Sequence, residues 1–163
     1  MSSSLGVSLV THIQAEDDIG KRLLELVHRH GVEGLERAVA PSNFEMVREF
    51  HRAFNVEEAA SPTLDIPEKI AQLRFGLIDE ERAELEEAFG EYQLEGTLKE
   101  LCDLLYVVYG LGAVLGFDVD AAFSLVHDSN MSKLGRNSKP IMRADGKVMK
   151  SELYTPADLS ALL

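Results

Sequence analysis

The chain has 163 residues, 45% of them apolar and 27% charged, the balance of one soluble globular domain large enough to bury a core. A formal net charge of −12 argues against binding a nucleic-acid polymer through its phosphates, and no apolar run is long enough to span a bilayer. The single cysteine, Cys102, excludes an intrachain disulfide framework, and MSSSLGVSLVTHI lacks the basic start and long apolar core of a signal peptide, so a cytoplasmic location is expected.

Residues 1–40 read as an N-terminal extension, partly helical, and residues 41–163 as the main domain. Residues 1–15 are expected to be poorly ordered. Ile19, Leu23, Leu26, Val27 and His30 recur at helical spacing and predict a helix over Glu16–His30, resuming over Leu35–Ala40 and ended by Pro41. Ser42 or Asn43 can cap the next helix, Phe44–Phe54, and Asn55–Asp65 reads as a connector around Pro62.

Pro67 suits the first turn of a long helix, where its missing N–H is not needed. The apolar stripe of that helix runs Ile70, Leu73, Leu77, then Glu81 and Glu84, then Ala88. Two glutamates therefore stand where core residues belong, which is costly unless they are paired or hold a metal. Glu80 lies beside them, while Glu86 and Glu87 face outward. After fifteen intervening residues come Glu100 and Asp103, one turn apart on a second helix predicted over Thr97–Leu115, with Thr97 as its cap. If the segment EYQLEGT turns the chain, the two helices fold back and bring both acid pairs to one level. Carboxylates so gathered repel unless a cation sits between them, which points to a divalent-metal site.

Beyond Asp103 the helix is apolar on nearly every face, so it must be central to the fold or to a subunit interface. Gly110 and Gly112 would allow close helix approach, and Gly116 stops the helix. Asp118 or Asp120 starts a fourth helix, running to about Lys133, with Ala122, Phe123, Val126 and Met131 expected inward and Gly135 ending it. KPIMRADGKVMK places an Asp-Gly turn between two short β-capable runs, a small hairpin that Tyr154 and Pro156 would pack down. Between Met131 and Lys150 stand six bases and one acid, Asp145, a composition suited to a small polyanion or to a solvated tail. The fold class is all-α, of four-helix-bundle type, with a C-terminal β-hairpin flap.

The pattern Glu80-Glu81-x-x-Glu84 followed by Glu100-x-x-Asp103 resembles the signature of the all-α nucleoside triphosphate pyrophosphohydrolases, a superfamily that includes MazG-like enzymes, dimeric dUTPases and phosphoribosyl-ATP pyrophosphatases. ELCDLLYVVYG, VHDSNMSKLG and the KPI-x-R-x-DGK-x-x-K ending are similar to the compact MazG-like, dUTPase-related group, and the likeness covers about residues 42–156. The resemblance implies hydrolysis between the α- and β-phosphates of a nucleotide, with Mg²⁺ as cofactor and Mn²⁺ able to substitute. It implies Glu81, Glu84, Glu100 and Asp103 as metal ligands, and Glu80 as a further ligand or the general base on the attacking water. Asn130 and Lys133 match its Asn-x-x-Lys and would hold sugar or phosphate. Arg136, Lys147 and Lys150 are further candidates for the phosphate tail, and Tyr106 or Tyr109 for the sugar or base. Homodimers or tetramers are implied as well.

Each of these residues also has a plain structural reading. An isolated Glu-Glu-x-x-Glu is usually a solvated face; here the second acid pair and the core stripe weigh the other way. Tyr106 and Tyr109 suit a core or interface, and Cys102 suits packing. None of the five histidines has a metal-ligand spacing, although His51 stands on a helix that can flank a base pocket. The leading function is a Mg²⁺-dependent pyrophosphohydrolase of a non-standard or surplus (d)NTP, dUTP first, that clears the nucleotide pool. The enzyme alternative is phosphoribosyl-ATP pyrophosphohydrolase. From other classes come a non-catalytic partner protein holding a structural cation, and a plain helical dimerisation module.

Overall fold

A computed structural model of the protein describes residues 40–163 and the single position His28. The expected helices over Glu16–His30 and Leu35–Ala40 therefore lie outside the described residues, apart from His28 and Ala40. The unit Ser42–Leu163 contains four helices, α1 (Asn43–Phe54), α2 (Glu68–Gly90), α3 (Leu94–Val114) and α4 (Val119–Met131), then a two-stranded hairpin and a terminal 3-10 turn, Ser160–Leu162. It is all-α with a small β flap.

Ser42 starts α1: its hydroxyl accepts the Glu45 N–H at 3.0 Å, supplying one of the helix's unpaired N-terminal donors. Asn55 ends the helix in the left-handed region at φ 54°. The buried face is Phe44, Val47 and His51, at helical spacing, and it lies against α3. The Phe44 and Tyr109 rings meet at 6.0 Å. After the connector, Pro67 immediately precedes α2.

The helices α2 and α3 form an antiparallel hairpin whose turn is only Glu91–Gln93, with Tyr92 at φ 57°. Here the expected start of α3 is corrected. Thr97 is not a cap: the helix begins at Leu94, and the Thr97 N–H already donates to the Gln93 carbonyl at 2.7 Å. Gly96 is taken into the first turn because it faces Ala88 of α2, where an added Cβ would lie 3.6 Å from the Ala88 methyl group and 3.0 Å from Gln93 Oε1.

The glycines of α3 act as expected. A Cβ on Gly112 would collide with the Val119 side chain at the start of α4, and one on Gly110 would crowd Arg74 and His51, each at 3.3 Å. Gly116 follows the helix at φ 70°, against the Ser61 carbonyl. Asp118 caps α4, accepting the Ala121 N–H at 3.0 Å, and the Ser42 hydroxyl donates to Asp120 at 2.5 Å, joining the starts of α1 and α4.

Two expectations for α4 fail. It stops at Met131, short of Lys133 and Gly135. Phe123, Val126 and Met131, expected inward, are exposed, and Ala122 is half-buried. The cause is geometric: α4 meets α3 at its first turn and then leaves it, so most of its apolar side chains have little among the described residues to cover them.

Beyond α4, β1 (Ile141–Met142) pairs antiparallel with β2 (Val148–Met149) around Asp145-Gly146. Ser132 and Ser129 hold the descending chain. Thr155 N–H donates to Ser132 Oγ at 2.8 Å and Ser129 Oγ to the Thr155 carbonyl at 2.8 Å. Tyr154 is half-buried under the Lys150 ammonium, 4.1 Å from its ring, whereas Pro156 is exposed.

Candidate metal centre

Glu81 and Glu84 project from one face of α2 and Glu100 from the facing side of α3. One carboxylate oxygen from each lies within 4.8 Å of the others. Glu81 and Glu100 are half-buried and Glu84 is exposed, so the cluster forms a cleft at the protein surface. The Glu81 carboxyl has its pKa raised, first by burial and then by Glu84, Asp103 and Glu100, which places the fourth acid of the motif beside the other three.

Asp103 is not in the 4.8 Å group, and Lys99 engages both it and Glu100. The Lys99 ammonium donates to Asp103 Oδ2 at 2.6 Å and to both oxygens of Glu100 at 3.0 and 3.1 Å. A monovalent cation thus bridges the α3 acid pair, and its own pKa is raised by those two bonds. Glu80 is exposed beside the cluster, outside the three-oxygen group. An all-carboxylate set is the hard oxygen environment that Mg²⁺ or Mn²⁺ takes, with coordination left over for water and substrate phosphate. The donor set fits.

The other candidate residues are more dispersed. Lys133 Nζ donates to Asn130 Oδ1 at 2.6 Å, so these two form one unit at the end of α4. Arg136 is bound to Glu152 at 3.1 Å, and Arg143 to Asp145 at 2.9 and 2.5 Å. Lys147 is exposed on the hairpin, and Lys150 lies over Tyr154. Tyr106, on the α3 turn after Asp103, meets Phe50 edge-on at 5.6 Å, and Phe50 stacks on Phe54 at 4.2 Å.

Sequence reasoning missed a buried polar group under α1. His51 is 2% exposed; its Nδ1 stands 3.2 Å from Glu58 Oε1 without hydrogen-bond alignment, so both atoms are buried and unsatisfied. Glu58 also receives Arg48 at 3.2 Å. Burial lowers the His51 pKa, the Arg74 charge lowers it further, and Glu58 opposes them. The available signal was weak: His51 falls on the Phe44–Val47 stripe, but no spacing rule links it to Glu58 or to Arg74.

A short-turned helical hairpin carrying an intermeshed carboxylate cluster defines an all-α scaffold of the pyrophosphohydrolase type, the class to which the acid motif pointed. The chain belongs to the phosphoribosyl-ATP pyrophosphohydrolase family, whose model matches residues 47–130, half of the chain, from α1 through the cluster to Asn130. An uncharacterised protein of Acanthamoeba polyphaga mimivirus is 37% identical over 82 residues, 48% of this chain and 33% of the viral protein. The chain thus spans about a third of the length of the curated relative it matches.

Proposed function

We propose that the protein is a Mg²⁺-dependent nucleoside triphosphate pyrophosphohydrolase that cleaves a (d)NTP, dUTP foremost, between its α- and β-phosphates to a monophosphate and pyrophosphate. Convergence of Glu81, Glu84 and Glu100 on one point, with Asp103 beside them, carries this reading. These four acids would hold the metal, with Mn²⁺ able to replace it. When bound, the cation neutralises charge developing on the phosphates and acidifies water. Glu80, exposed at the edge of the cluster, takes the proton of the attacking water as general base. Asn130 with Lys133, and Arg136, Lys147 and Lys150 of the basic C-terminal segment, bind the triphosphate and sugar, and Tyr106 borders the sugar. The cellular role is removal of surplus nucleotides in the cytoplasm. Family membership favours one second reading, phosphoribosyl-ATP as substrate, with the same bond broken.

The working unit is a homodimer or a pair of dimers. Along α3, Leu94, Leu98, Leu101, Leu105 and Val108 recur at alternating steps of four and three and are exposed by 88, 63, 44, 46 and 44%. That is a heptad seam with no helix against it among the described residues, and a second copy of the same stripe is its natural complement.

The reaction is tested by pyrophosphate release from a panel of canonical, damaged and deoxy NTPs and phosphoribosyl-ATP, with Mg²⁺ and with EDTA. Metal-dependent release from one or two nucleotides is expected, with Glu80→Gln abolishing turnover in a folded protein. Silence across the panel with metal still bound would instead favour a non-catalytic partner holding a structural cation.

A further inference from the structure

The acid cluster is one level at which α2 and α3 meet across their seam, and a second lies further along it. Glu81 faces Asp103; seven residues earlier on α2 and seven later on α3, Arg74 faces Gly110. Seven residues return a helix nearly to the same face about 10 Å along its axis, so Arg74 looks into the same seam two turns from the metal ligands. Between the levels lie Leu77, Ile78 and Tyr106.

Arg74 is half-buried, and among the described residues it has no ion-pair partner. Its Nε is buried without a hydrogen bond, and burial lowers its pKa with no carboxylate opposing the shift. Glu58, in the same cavity wall, is bound by Arg48 through Oε2, and its Oε1 stands 3.2 Å from His51 Nδ1. A guanidinium taken out of water and left unmatched is costly. Beside it opens a cavity of 490 Å³ with apolar walls from Val56, Ile66, Ile70, Leu73 and Val114, and with Arg74, Thr63, Asn55 and the acids Glu57, Glu58 and Asp65 as its polar lining. That size suits a small molecule, with apolar walls to cover a flat ring and Arg74 as the one cationic donor in the lining. None of its residues belongs to the acid cluster.

We propose that this cavity is the nucleobase subsite and that Arg74 reads the base by donating to a ring carbonyl. The inference rests on the hydrolase reading above. With the reacting phosphates at Glu81 and Asp103, a sugar and base laid along the seam cover the two turns, the sugar passing Tyr106 and the base reaching Arg74 between apolar walls. Arg, a donor only, pairs through its fork with the exocyclic carbonyl that uracil, guanine and cytosine present, whereas adenine offers ring nitrogens beside an amino group that also donates, a poorer match. Gly110 leaves room at this level: a Cβ there would press on both Arg74 and His51, each at 3.3 Å.

The measurement is saturation-transfer NMR of uridine, guanosine and adenosine, each at millimolar concentration, on the full chain in EDTA. No metal or phosphate contact can then contribute. Transfer to uridine or guanosine and not to adenosine is expected, and Arg74→Met or the cavity-filling Ile70→Trp should remove it. Arg74→Lys keeps the charge for folding but loses the planar fork, and should weaken uridine binding about tenfold. Absence of transfer to every nucleoside, preference for adenosine, or unchanged binding in Arg74→Met overturns the subsite. Hydrolysis and nucleoside binding fail separately: binding without turnover sinks the reaction, whereas turnover with Arg74→Met kinetics equal to wild type sinks the base contact.

Discussion

Glu81 is one helical turn from Glu84 and faces Glu100 and Asp103 across the seam, so its charge is stabilising only when a cation is present. Its raised pKa means that the folded, metal-free chain holds this proton more tightly than the unfolded chain. That contribution is full below the unfolded value near 4.5 and is lost as pH rises through the folded one. At neutral pH the ionised carboxylate therefore opposes folding. Glu81→Gln should raise the melting temperature in EDTA and abolish the further rise that Mg²⁺ gives the wild type, since a ligand that binds only the folded state stabilises it. His51 shows the opposite case. Its pKa is lowered by burial and by Arg74, so below its ordinary value of 6.5 the unfolded chain takes up a proton that the folded chain refuses. Stability should fall as pH drops from 6.5 towards the depressed folded value, and urea unfolding of His51→Gln should show a flatter slope over that window.

At the scale of elements, the helix starts divide into those dictated by local chemistry and one decided by packing. The hydroxyl of Ser42 accepts a backbone N–H and donates to Asp120, so Ser42→Ala should cost about 1 kcal/mol or somewhat more in chemical denaturation. Thr97 looks like an equally good cap, yet it stands one turn inside α3. Thr97→Ala should leave stability within about 0.5 kcal/mol of wild type, and a loss of cap size would contradict the early start at Leu94. Local sequence shows a threonine followed three residues on by Glu100 and reads it as a start signal. It does not show that Gly96 faces Ala88, which draws the extra turn onto α2.

For the whole molecule, the buried apolar core of the described residues is small: Phe44, Val47, Ala88, Ala113 and Val114. Much larger apolar surface lies open on α3 and α4, where Leu101, Leu105 and Phe123 are 44, 46 and 66% exposed. A chain of this composition has enough apolar residues for a fuller core than its described residues bury, and the proposed dimer would complete it with a second copy. Light scattering behind size exclusion should give a dimer or tetramer, and Leu101→Glu with Leu105→Glu should shift it to a monomer with a lower, concentration-independent melting temperature. A monomeric wild type would leave the leucine seam without its complement.

The all-α class, the helical hairpin, the Asp-Gly flap turn and the four acids were legible in the sequence because each rests on a local rule: periodicity of 3.6, turn chemistry, or carboxylates one turn apart on a core stripe. The inward face of α4 was not, because periodicity marks which residues are apolar and says nothing of whether the chain itself covers them. The His51, Glu58 and Arg74 group was likewise silent, since its members come from α1, the connector and α2 and meet only where Gly110 leaves room. What the sequence determined by itself was the chemistry available and its order along the chain. The tertiary structure alone decided which acids share a point and, among the described residues, which cation stays unmatched and which apolar faces stay uncovered, because burial and charge pairing depend on residues far apart in the chain.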